Sequence, residues 1–198
     1  DIIQIYFSCE GLIVTVAAII VLILRIVVPL TILRWRITGA ISSMLLDAID
    51  VIIVDILASL FSEKPGLGSH YQTYDKWLDM YYLSVEAFVS IKFTNVLARN
   101  TSIALYVFRL IGIIAFAVTG EQYRKLIFFF PNLFENFFLY CIISQRFAPK
   151  LMPKSIKHLA IILLILYIPK FAQEWALHFQ QITPWNWFRE TVLGLQPN

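Results

Sequence analysis

The sequence predicts an all-α, polytopic membrane protein with about six transmembrane helices and short loops. Three observations predict it. Hydrophobic residues make up 59% of the 198-residue chain, and its mean hydropathy is +0.74. Charged residues make up only 15%, against roughly 25% in an ordinary soluble domain. The apolar residues also fall into runs of about 20, the length that crosses a hydrocarbon core. A single soluble core of this size could not cover so much Ile, Leu and Phe, whereas lipid accepts apolar side chains all round a helix.

The runs define one transmembrane domain with spans at residues 11–33, 39–61, 75–93, 101–119, 126–145 and 156–178. The first is interrupted by Arg25 and Pro29, the fourth carries Arg109 near its middle, and the sixth contains Pro169, where a kink is expected. The tail, 180–198, carries Trp185 and Trp187 and reads as an interfacial segment with indole rings at headgroup depth. Continuous apolar runs without two-residue alternation argue against a β-barrel. The longest loop, 62–74, is marked as turn by Pro65, Gly66 and Gly68.

Chain orientation follows from Lys and Arg in short loops. Six spans put Arg34, Arg36, Lys92, Arg99, Arg146, Lys150, Lys154 and Lys157 on one side, and Lys64, Lys76, Arg124, Lys125 and Arg189 on the other. The richer side is taken as cytoplasmic, so both termini are expected outside the cytoplasm. The net charge of +3 and its place in short loops give no nucleic-acid-binding stripe. Cys9 and Cys141 form no disulfide framework and no metal-like spacing. Residues upstream of Asp1 are expected, because the chain does not open on methionine. The run 11–33 is too long for the core of a cleaved signal.

Acids inside such spans cost about 2.5–3.5 kcal/mol each at the bilayer centre, yet this chain has several. Asp47, Asp50 and Asp55 fall with Ser43 within about 140° of the second helix surface. Asp75, Asp79, Tyr82, Glu86 and Ser90 follow i, i+4, i+7, i+11 and i+15, one narrow stripe on the third span. The fourth span offers Ser102, Tyr106 and Arg109, the fifth Asn132, Glu135, Asn136 and Tyr140, and the sixth Tyr167, Lys170, Glu174 and His178. Lipid-facing acids are nearly excluded, so these stripes are expected to meet one another, a partner or water. Arg109 is the expected partner of Glu86, Glu135 or an aspartate. The acids outnumber the intramembrane bases Arg25 and Arg109, so some of them should carry a proton, water or a cation.

The polar network or ion path is therefore read as Asp47, Asp50, Asp55, Asp75, Asp79, Glu86, Arg109, Glu135 and Asn136. No phosphate loop, H-E-x-x-H or G-x-S-x-G motif is present. His70, His158 and His178 lie in a loop or at span ends, where histidines are more often interfacial hydrogen-bonders than haem or chlorophyll ligands. The expected function is a non-catalytic subunit of a larger membrane complex, in contact with lipid and other membrane subunits, with a cation, lipid or pigment as candidate ligand. The alternative is a small cation- or proton-coupled transporter or channel.

Asp47-x2-Asp50 and Asp75-x3-Asp79 resemble part of the D-x2-D-G-x2-A-R…G-x3-D-x3-D signature of the CDP-alcohol phosphotransferases. The resemblance covers residues 47–79, and Val51, Val54, Asp55 and Tyr71 stand where the signature has Gly, Ala, Arg and Gly. It implies a six-span lipid-headgroup enzyme. Asp47, Asp50 and Asp75 would be divalent-metal ligands, and Asp79 the base for the acceptor hydroxyl.

Overall fold

A computed structural model of the chain describes residues 15–62, 71–119 and 130–178. These form six α-helices and two short 3-10 turns, with no strand among the described residues. Helix α1 is Val16–Leu30, α2 Arg36–Leu60, α3 Tyr71–Ser90, α4 Val96–Thr119, α5 Leu133–Phe147 and α6 Ile156–His178. The all-helical class is as the apolar runs predict. Residues 11–14, most of the loop 62–74, residues 126–129 and the tail 180–198 lie outside the described residues.

Local chemistry sets the helix ends. The Thr15 hydroxyl accepts from the Ala18 amide at 3.1 Å to start α1, the N-cap arrangement that satisfies an otherwise unpaired donor. Asn95 accepts from the Ala98 amide at 2.9 Å before α4, and Ser155 from the His158 amide at 3.2 Å before α6. Asn95 also donates to the Pro153 carbonyl at 2.8 Å, so one side chain both caps α4 and ties it to the loop before α6. The fifth helix starts later than its apolar run suggests, at Leu133. Pro131 and the residue before it disfavour helix there, and Asn132 takes the cap position. By contrast, α6 runs through Pro169.

Two segments, Val16–Leu33 and Val96–Val118, are long and apolar enough to cross a membrane, and only 28% of each is buried within the chain. A core helix of a soluble protein would be covered on most sides. Here Ile23, Val27, Leu33, Ile111 and Val118 are all exposed.

The helices pack around α5, which touches α2, α3, α4 and α6. Its Phe134, Phe137, Phe138 and Cys141 are wholly buried against Leu83 and Phe93. Phe93 stacks on Phe138 with ring centroids 6.0 Å apart. A smaller cluster of Ala17, Val21, Val54 and Ala58 joins α1 to α2. These two helices form an antiparallel hairpin through the 3-10 turn Thr31–Leu33, and Gly39 sets its register. A Cβ on Gly39 would lie 2.5 Å from the Ile32 amide nitrogen and 2.8 Å from its Cα. Only a residue without a side chain lets the two backbones approach so closely. With Ile32 and Gly39 abreast, Arg25 and Asp47 fall opposite each other about two helical turns down the hairpin.

Gly39→Ala should therefore cost about 1–3 kcal/mol, because backbone rather than a flexible side chain must move. Thermal unfolding in detergent checks this, and an unchanged midpoint would refute the close-approach account.

Candidate functional site

Arg25 of α1 is buried, and its guanidinium is held by four aspartates from two other helices. Nη1 donates to Asp50 Oδ2 and Asp75 Oδ1, both at 2.6 Å. Nη2 donates to Asp47 Oδ1, and to Asp79 Oδ1 at 2.8 Å. Lys76 reaches the same group, with Nζ 2.9 Å from Asp75 Oδ2 and 3.3 Å from Asp79 Oδ2. Asp50 also accepts from the Val51 amide at 2.6 Å. The spacing of three on α2 and four on α3 puts each aspartate pair on one helix face, and the hairpin register brings Arg25 between them.

The second group lies farther along the same face of α3. Tyr82 donates to Glu135 Oε1, and Asn132 donates to Glu135 Oε2 at 2.9 Å. Glu86 is 0% exposed, and neither carboxylate oxygen has a hydrogen-bond partner among the described residues. Ser84 and Tyr106 share a hydrogen bond of 2.8 Å that fixes α3 against α4. The Ser102 hydroxyl, one turn from Tyr106, is buried and likewise unpartnered among the described residues. Asp79, Tyr82 and Glu86 are separated by three and four residues, about 4.5 and 6 Å of helix rise, so the two groups form one buried polar face.

Other residues read from the sequence sit differently. Arg109 does not pair with Glu86, Glu135 or an aspartate: its Nη1 donates to the Phe130 carbonyl at 2.6 Å. That carbonyl precedes Pro131, outside any helical ladder, and is open to a side-chain donor. Among the described residues Arg25 is the arginine that meets the acids. Asp55 is buried farther along α2, away from the Arg25 contacts. Asn136 is half-buried and lines a cleft of about 580 Å³ between α5 and α6, with Tyr140 and Lys170. The side chains of Glu174 and His178 and all of His70 fall outside what is described.

The donor set is hard oxygen, which suits Mg²⁺ or Ca²⁺. One oxygen each from Asp47, Asp75 and Asp79 lies within 4.8 Å of the others. Oxygens at 2.3–2.6 Å from a common ion are separated by at most about 5 Å, so the spacing fits one cation. The same three carboxylates now bond Arg25, so a cation and the guanidinium would compete for them. No family model, curated protein or solved structure matches the chain.

Removing Arg25 leaves four buried or half-buried carboxylates facing one another. Arg25→Gln should cost about 3–5 kcal/mol, more than Asp50→Asn, because an uncompensated buried charge is dearer than a lost partner in a crowd. Tyr82→Phe should cost about 1–3 kcal/mol by stripping a donor from Glu135. Unfolding midpoints of the three variants check both expectations. Equal effects of Arg25→Gln and Asp50→Asn would contradict the central role of Arg25.

Proposed function

We propose that the chain is an integral membrane protein of about six helical crossings whose buried acidic face binds a cation, and that it acts as a small cation- or proton-coupled carrier or channel. The observation that carries this reading is a surplus of carboxylates on one buried face. Asp47, Asp50, Asp75, Asp79, Glu86 and Glu135 share it, while Arg25 and Lys76 are the bases seen bonded to acids there among the described residues. Arg109 is committed to a backbone carbonyl. A low-dielectric interior does not tolerate unbalanced charge, so protons, water or cations must complete the balance. A face that takes up and releases such species is the basis of an ion path. The exposed aliphatic surface of α1 and α4 supports the bilayer setting.

The test is flux in liposomes containing the purified chain. A cation- or pH-gradient-driven flux is expected, with Glu86→Gln and Asp50→Asn each lowering it at least about tenfold, the equivalent of ~1.4 kcal/mol. Absence of flux, or flux unchanged in both variants, sinks the proposal.

One observation favours a second reading. The four aspartates of the CDP-alcohol phosphotransferase resemblance converge on a single point. Asp47, Asp50 and Asp75 would then hold a divalent metal that positions a CDP-linked lipid, and Asp79 would take the acceptor proton. Arg25 would have to yield its place between them. Metal-dependent CMP release without flux would select this reading. Absence of both activities would leave the ion-pair network as the cement of a non-catalytic subunit.

A further inference from the structure

At the turn between α1 and α2 the chain carries a basic groove that none of the acid chemistry uses. Arg34, Trp35, Arg36 and Thr38 form one wall, and Gln145 and Arg146 at the end of α5 form the other. The groove has a volume of about 540 Å³, with Ile37 and Ile142 also in its lining. Three arginines line it, and among the described residues no acid lines it and none of the three makes an ion pair. Three like charges without an acid among them give the groove a positive potential that draws an anion.

The backbone adds to the same preference. Trp35 precedes the 25-residue helix α2 without giving it a side-chain cap. The first turn of α2 therefore has no side-chain cap at the positive end of the helix dipole. Arginine forks match phosphate oxygens in geometry as well as charge. What separates this groove from a plain anion pocket is its apolar border. Trp35 is 62% exposed, and Leu33, Ile143 and Phe147 are exposed on the flanking surfaces of the turn and α5. An indole beside arginines and aliphatic surface is the composition of a headgroup-depth site, where the phosphate meets the charges and acyl chains follow the apolar surface.

We infer that this groove is a binding site for the phosphate of an anionic phospholipid headgroup. Phosphatidylglycerol is the simplest ligand with this chemistry. Arg34 and Arg36 approach the phosphate from the turn and Arg146 from α5, so the lipid joins the α1–α2 hairpin to the central helix.

The experiment uses the full chain in an uncharged detergent, with binding read from the thermal midpoint. Phosphatidylglycerol should raise the midpoint and phosphatidylcholine should not. Affinity should fall about fivefold for each of Arg34→Gln, Arg36→Gln and Arg146→Gln, with unliganded midpoints unchanged because the side chains are exposed. Lys154→Gln, an exposed charge outside the groove, should have no effect. Inorganic phosphate should bind far more weakly than the lipid. Equal binding of the two would reassign the site to free phosphate and overturn the lipid inference. Equal losses in Lys154→Gln, or a response to phosphatidylcholine, would show diffuse surface attraction or general lipid solvation instead. The readout needs neither flux nor transferase activity, so its outcome is separate from that of the cation proposal.

Discussion

The arrangement of the first three helices depends on one charged side chain. Arg25 sits among carboxylates from α2 and α3 and is bonded to both helices from α1. Each of its terminal nitrogens serves two aspartates, which fixes the rotation of three helices about their own axes. Apolar packing alone specifies helix rotation loosely, because many aliphatic faces are interchangeable. A buried fork of hydrogen bonds is directional, and a misrotated helix would leave charge unpaired. The network is thus stronger evidence for specificity of arrangement than for net stability.

The rest of the fold makes that constraint possible. Gly39 lets the hairpin close tightly enough to set the register. The phenylalanine core of α5 packs against α3, and the Ser84–Tyr106 pair anchors α4 to α3. The polar face of α3 therefore lies between two packed surfaces. Tyr82, Glu86 and Ser90 are inside the bundle, where their stripe spacing points them.

Helical periodicity made much of this legible in advance. The stripe on α3 is a local pattern of threes and fours, and a local pattern survives into the fold. The aspartate pairs on α2 and α3 were visible for the same reason. The role of Arg25 was not. A lone arginine in an aliphatic run has no local pattern, and its partners depend on a register set by a glycine in another helix. Arg109 misled in the opposite way. Its spacing with Ser102 and Tyr106 suggested an acid partner across the bundle, but an irregular carbonyl before Pro131 took its hydrogen bond. The basic groove was hidden because Arg36 and Arg146 are remote in sequence. Read one loop at a time, they served only as indicators of membrane side.

The chain order of the Arg25 network has a consequence for how the protein is made. The arginine lies in the first helix, whereas its partners follow 22 to 54 residues later. During synthesis α1 therefore emerges before the aspartates that bind Arg25, and the network closes only once α2 and then α3 have followed. The order of the helices along the chain thus makes closure of the network a late step in folding, set by timing as well as by place.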